Sequence, residues 1–247
     1  MHRRHFRSGK LSLSFFLFSF LMVATLCLLL YASHRFFSPA DTSIALPVEN
    51  TITVILDPGH GGEDGGAVGK NGIYEKNLNL SIAKKVESNL TAWGFSVFCT
   101  RNEDILLYDR NEDFKGRKKV LDLAARLKIA KDTENCIFVS IHMNSFPETK
   151  YNGLQVYYSP NDPRSAELAD LIQNEVRKQL QPTNARKTKQ ASTNIYLLNR
   201  ITSPAILIEC GFLSNVEECA KLSSEQYREE LSYAISCAIA DYLETHS

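Results

Sequence analysis

Residues 51–95 read TITVILDPGHGGEDGGAVGKNGIYEKNLNLSIAKKVESNLTAWGF, and their periodicity changes once along the way. Ile52 to Leu56 is a short apolar, β-branched run, which predicts a buried strand. Leu78, Ile82, Val86, Leu90 and Trp93 then recur at helical spacing until Gly94 stops them. Between strand and helix, Pro58 and the glycines Gly59, Gly61, Gly62, Gly65 and Gly66 make a turn in place of regular structure.

The alternation continues along the chain. Strand-like runs are expected at Phe95 to Thr100, Cys136 to His142, Leu154 to Ser159, Ile195 to Leu198 and Ala205 to Glu209. Val120, Leu123, Ala124 and Leu127 form a second helical stripe. A third helix opens at Asp162-Pro163, as cap and first helical residue, and carries Leu168, Leu171, Ile172 and Val176. The last places Tyr227, Leu231, Ala234, Ile235, Ala238 and Tyr242 on one face, with Ser223 and Gln226 as a capping box. Strands alternating with helices predict one α/β domain, its mostly parallel sheet covered on both faces. Two polar connections, Arg101 to Gly116 and Gln181 to Asn194, are expected walls of a cleft outside the carboxyl ends of the strands, with solvated insertions as the competing reading.

The chain has 247 residues, 44% of them hydrophobic, ample for a core and incompatible with disorder or a fibrous repeat. Its formal net charge of zero is uneven: Arg3, Arg4, Arg7, Lys10 and Arg35 are met by no acid before Asp41, leaving 23 basic against 28 acidic side chains beyond residue 40. A body with net charge −5 does not suit a polyanion, so nucleic acid is not an expected partner.

Leu11 to Ala32 is a run of 22 residues without a charge, reaching about 33 Å as a helix, enough for the hydrocarbon core of a bilayer. The basic cluster before it keeps the amino terminus cytoplasmic and sends the body across the membrane. The expected organisation is therefore a basic amino terminus and signal-anchor over 1–35, a tether over 36–50 and one folded domain over 51–247. Secretion after signal cleavage is the competing reading, but the nearest small-residue site, Ser38-Pro39-Ala40, lies past the apolar run and contains a proline. The six cysteines form no C-x-x-C pair and mostly sit in or beside apolar runs, which predicts buried thiols, with a Cys210 to Cys219 pairing left open.

Only two histidines lie in the body away from the termini, His60 in LDPGHGGEDGG and His142 in FVSIHMNS. Each directly follows an apolar strand run, so each is delivered to the carboxyl edge of the sheet, the pattern of imidazole ligands for one metal. A phosphate cradle is disfavoured, because the glycine cluster has no G-K-[ST], lacks G-x-G-x-x-G spacing and brings two acids. Glu75 opens the first helix where the chain returns to that edge, and Glu209 closes the apolar run AILIEC, where an ionisable group has reason to face a cleft. Two imidazoles and one carboxylate with an open fourth position make a catalytic zinc site, and a further unligated Glu serves as proton acceptor in metal-assisted amide hydrolysis.

These motifs resemble the amidase-3 family of zinc-dependent N-acetylmuramoyl-L-alanine amidases. The matching segments are LDPGHGGEDGGAVG, GIYEKNLNLSIA, FVSIHMNS, NGLQVYY and ILIECGFLSN, spread over residues 52–245. The resemblance implies a mixed, mainly parallel sheet with helices on both sides and cleavage of the amide between the lactyl group of N-acetylmuramic acid and the L-alanine of the stem peptide. It also implies His60, Glu75 and His142 as ligands of one Zn²⁺ per chain and Glu209 as general base and later acid. The layout, with the RKKV…LAARLKIA segment before the second histidine, resembles the sporulation and germination-type amidases that help form muramic lactam in spore cortex. A vegetative division or autolytic role is the alternative within the family. A membrane-linked chain with few contacts for a polymeric substrate points to a protein activator. Outside the amidases, the competing classes are a zinc peptidase or carboxypeptidase on wall peptides, with the same metal set, and a non-catalytic peptidoglycan-binding protein, which would have lost a ligand or the base.

Three further residues are expected near the site. Asn144, two after His142, is placed to bond substrate or orient a ligand. Arg101, after a strand, is placed to meet a peptide carboxylate. Asp57 is placed to hold the tautomer of His60 from behind.

Overall fold

The apolar runs become strands in a computed structural model that describes residues 13–37, 51–109, 111 and 115–246. The basic cluster from Arg3 to Lys10, all of the 36–50 tether except Phe36 and Phe37, which end a helix, the Ser38-Pro39-Ala40 site and parts of the Arg101 to Gly116 connection lie outside those residues. The chain divides into two units, Met1–Val48 and Glu49–Ser247. The first contains α1 (Leu13–Phe37). Its side chains are described over 17–31, a length of about 22 Å as a helix. Among the described residues no helix is long and apolar enough to cross a membrane.

In the second unit, β1 (Thr53–Pro58), β2 (Val97–Cys99), β3 (Cys136–Asn144), β4 (Gln155–Tyr158), β5 (Lys189–Gln190) and β6 (Ala205–Phe212) form one sheet. Its strand order is β2-β1-β3-β6-β4-β5. The first four strands in that order are parallel; β4 runs antiparallel to β6, and β5 follows β4. The expected mixed, mainly parallel α/β domain is present. The helices are α2 (Glu75–Ala92), α3 (Lys118–Asp132), α4 (Arg164–Gln179), α5 (Val216–Ser223) and α6 (Glu225–His246).

Strand alternation sorts the side chains onto two unequal faces. Val54, Leu56, Ile137, Val139, Ile141, Ile206 and Ile208 enter the larger core, against Leu78, Ile82 and Val86 of α2, Leu168 and Ile172 of α4 and Leu231 and Ile235 of α6. Ile55, Phe138 and Ala205 point the other way, into a smaller cluster closed by Ala130 of α3 and by Leu197, Leu198 and Ile201. By the same alternation Asp57, Ser140, His142 and Glu209 project from this thinly covered face. That face has room for a cleft.

Local expectations fail in two places and shift by one residue in a third. Ile195 to Leu198 is a turn, not a strand: its backbone bonds to residues three or four away (Ile195 N to Ser192 O, 3.0 Å; Leu197 O to Arg200 N, 2.9 Å) while Leu197 and Leu198 plug the smaller core. Tertiary burial, not strand pairing, explains that apolar run. The Ser223–Gln226 capping box is not made, because the Ser223 hydroxyl donates to Cys219 O inside α5, whose own cap is Asn215, accepting from the Glu218 amide. At α4 the Asp162 side chain does accept from the first helical amide, Arg164, with Pro163 between them as the cap residue. Cys210 and Cys219 are both buried and free, which closes the disulfide alternative for that pair.

Candidate active site at the carboxyl edge of the sheet

His60 lies just beyond β1, His142 near the end of β3, and Glu75 at the first turn of α2. One oxygen of Glu75 gathers both rings: Oε1 is 3.2 Å from His60 Nε2 and 2.9 Å from His142 Nδ1. All three donor atoms lie within 4.8 Å of one another. Ligands about 2.0–2.1 Å from a tetrahedral zinc stand roughly 3.3 Å apart, so this donor set fits such an ion.

Glu75 is almost fully buried, at 3% exposure. Burial alone would raise its pKa, but the two imidazoles hold the carboxyl well below the usual range. Its position at a helix amino terminus adds a favourable field for the anion. The remaining lone pairs accept from the amides of Ala67 (2.8 Å) and Met143 (3.0 Å), and Asn79 Nδ2 approaches at 3.3 Å. Burial would lower the pKa of His60, and the carboxylates of Glu75 and then Asp64 reverse this and raise it. His60 Nδ1 sits 3.0 Å from Asp64 Oδ2 without the alignment of a hydrogen bond.

Backbone makes the donor cluster compact. A Cβ on Gly59 would fall 2.2 Å from the His142 ring, and one on Gly66 would meet Glu75 Oε2 at 2.5 Å. His60 itself has φ +62°, an uncommon left-handed conformation for a side-chain-bearing residue.

Glu209 is the register partner of His142 across β3 and β6, so a strand spacing of about 4.8 Å separates their backbones. Its Oε2 is shut off from solvent with no hydrogen-bond partner, although the residue as a whole keeps some exposure. Burial pushes the Glu209 pKa up to about 7, with His142 pulling it down and Glu75 pushing it up. A cavity of about 120 Å³ opens beside the two histidines, lined by Gly59, His60, Asp64, Lys119, His142 and Leu197. A wider hollow, about 370 Å³, at Gln181, Asn215, Lys221 and Tyr227 contains none of these donors.

Two expected roles are corrected. Asp57 does not touch His60. It accepts from Thr100 (2.7 Å), Arg126 (2.6 Å) and Ser140 (2.8 Å), and those partners outweigh burial to depress its pKa. Arg101 is 2% exposed and donates to the carbonyls of Pro58, Gly59, Lys76 and Glu103, so it holds backbone and is not open to a substrate carboxylate. The third residue, Asn144, lies on the face of His142, and among the described residues its side chain has no hydrogen-bond partner.

The residue that sequence reading passed over is Arg126 of α3. It is 1% exposed, pairs with Asp57 and Asp122, and donates to Pro58 O (2.9 Å) and His60 O (2.8 Å). The only trace in the sequence is the Asp122–Arg126 helical spacing. Arg126→Met is expected to destabilise the protein by about 3–5 kcal/mol at pH 7, read by urea unfolding, because it strands the buried Asp57 charge. Since the folded pKa of Asp57 lies below its ordinary 3.8, the stabilisation is present above that value and lost as pH falls through the depressed one. A loss under 1 kcal/mol would contradict the pairing.

The profile of the Amidase_3 family, N-acetylmuramoyl-L-alanine amidase, matches residues 54–241. The germination-specific N-acetylmuramoyl-L-alanine amidase of Bacillus subtilis (strain 168) is 37% identical over 198 residues, covering 80% of this chain and 82% of that protein. The CwlD amidase from Clostridioides difficile, solved in complex with the GerS lipoprotein, is 39% identical with a TM-score of 0.74, covering 79% of this chain and 100% of that one. An N-acetylmuramoyl-L-alanine amidase from Clostridium difficile 630 is 30% identical with a TM-score of 0.69, covering 80% and 100%. A profile spanning most of the body, relatives of this identity and the same fold together establish that the chain belongs to the Amidase_3 family of N-acetylmuramoyl-L-alanine amidases, hydrolases of peptidoglycan.

Proposed function

We propose that this amidase depends on one zinc ion held by His60, Glu75 and His142, with Glu209 as its general base and acid. The observation that carries the reading is the convergence of three donor atoms within 4.8 Å, with Glu209, whose Oε2 is closed off from solvent without a hydrogen-bond partner, on the neighbouring strand. A zinc ion bound there would polarise the scissile carbonyl and acidify water. Ionised Glu209 takes a proton from the attacking water and returns it to the nitrogen of the departing L-alanine. Glu75 keeps its charge throughout because two imidazoles face it, and Asn144 lies on the same face, free to bond the substrate.

The proposal extends to the organisation of the chain: residues 1–35 as signal-anchor, 36–50 as tether and 51–247 as catalytic domain on the extracytoplasmic side. It rests on the uncharged run from Leu11 to Ala32 and the basic residues before it. Likeness to a germination-specific amidase favours spore cortex and muramic-lactam formation as the setting. Because a similar amidase was solved with a lipoprotein, a lipoprotein on the same membrane surface is the proposed activator class.

Digestion of purified peptidoglycan by the full chain, with mass analysis of the fragments, tests the chemistry. Stem peptides with free L-alanine amino termini are expected, and a chelator should abolish their release until zinc is restored. Cuts inside the stem peptide would mark a zinc peptidase instead.

A further inference from the structure

One basic group on the site's face has no role in the chemistry above. From Arg177 to Ile208 the chain carries six basic residues (Arg177, Lys178, Arg186, Lys187, Lys189 and Arg200) and no acid, within a body whose net charge is negative. Arg186 stands out among them, being partly buried and fixed. Its Nε donates to Asn152 O (2.7 Å) and its Nη1 to Gln155 Oε1 (3.2 Å), while the guanidinium carbon lies 4.6 Å from the Phe212 ring centroid and 5.9 Å from that of Tyr151.

The loop beneath it is riveted. Asn184 accepts from the Arg186 amide and donates to Leu154 O, and Arg177 donates to the carbonyls of Asn184 and Arg186. Among the described residues no carboxylate lies within ion-pair distance of Arg186, although buried Glu218 feels its charge from farther off, and its Nη2 makes no hydrogen bond. An arginine held in place with part of its fork unused is preorganised for an oxyanion.

Its position follows from strand register. Gln155 is the antiparallel partner of Glu209, so the two side chains share a face with Cβ atoms about 4.5–5.5 Å apart. Gln155 is itself fixed, donating to Lys187 O at 2.8 Å. Arg186 is therefore one side chain beyond the neighbour of Glu209, on its β4 side.

We propose that Arg186 binds a free carboxylate of the stem peptide and so directs the peptide half of the substrate toward the β4–β5 edge. This rests on the amidase reading above. In a muramoyl peptide the lactyl carboxyl is consumed by the scissile amide, and the sugar offers only hydroxyl and acetamido groups. Free carboxylates belong to the peptide side, which gives the substrate its direction.

The test compares two soluble N-acetylmuramoyl peptides, one with free carboxylates and one with those groups converted to carboxamides, cleaved by the full zinc-loaded chain. Wild type is expected to favour the carboxylate by about 10- to 100-fold in kcat/KM, mostly through KM, the range of a charge-assisted hydrogen bond. Arg186→Met, which keeps the apolar contact with Phe212, should lose that preference, its kcat/KM falling about 10- to 100-fold on the carboxylate and far less on the carboxamide. Equal wild-type rates on both peptides would overturn the proposal without any variant, and so would an equal loss on both in Arg186→Met. Failure of wild type to cut either peptide at the muramoyl amide would instead refute the amidase reading and remove the subsite with it.

Discussion

Glu209→Gln is expected to retain stoichiometric zinc while kcat falls by about 10³–10⁴-fold, the upper part of the range for a positioned general base. The isosteric amide keeps the strand and its neighbours but cannot take the proton from water. Metal content and turnover should be measured on the same sample; turnover within tenfold of wild type would remove Glu209 from the mechanism. The same residue sets a pH dependence. A base must be ionised, so kcat/KM should rise with pH along an acid limb. Without metal the Glu209 pKa is about 7. A nearby dication favours the anion, which places the limb of the zinc enzyme below that value.

A stability effect of opposite sign accompanies this loss. The folded pKa of Glu209 is raised above its ordinary 4.5. Its contribution is therefore fully present below 4.5 and lost as pH rises through about 7, where a buried carboxylate must ionise. In metal-free protein at pH 8 this amounts to roughly 3 kcal/mol at most. Metal-free Glu209→Gln should thus melt higher than wild type at pH 8, with the gap closing by about pH 4. Equal melting temperatures at both pH values would mean that the carboxylate is solvated.

The second large effect is loss of the metal itself. His142→Ala and His60→Ala are each expected to lower zinc affinity by more than about 100-fold, beyond the 10–100-fold typical of residues that only support a ligand, and activity should vanish with the metal. Gly59→Ala should do nearly the same without touching a donor, because the added methyl group would sit 2.2 Å from the His142 ring. Zinc binding should also weaken in mild acid, since Glu75 and Asp64 raise the pKa of His60 and protons compete for the ring. Calorimetric titration of each variant with zinc is decisive: wild-type affinity in His142→Ala would put the centre elsewhere.

Much of this site was legible in one dimension. His60, His142 and Glu209 each end an apolar run, and a strand has to release its side chains at the carboxyl edge of a parallel sheet. Glu75 was legible because the turn after β1 must return the chain to that edge. Asp57 and Arg101 were misread for a shared reason. Both flank the same strands, but side chains there can point into the protein as well as into the cleft, and only their partners decide which. Asp57 meets Arg126 from a helix 69 residues away, and Arg101 meets carbonyls of the glycine turn.

The sequence by itself determined the α/β alternation, the four groups at the strand edge and the need for glycine beside them, because periodicity and backbone sterics act over a few residues. The tertiary structure alone decided that Ile195 to Leu198 is a plug and not a strand, and that Arg126 anchors His60. It also decided that Gln155, the register partner of Glu209, meets Arg186. Those outcomes depend on strand order and register, which bring together residues from distant parts of the chain. No local pattern encodes them.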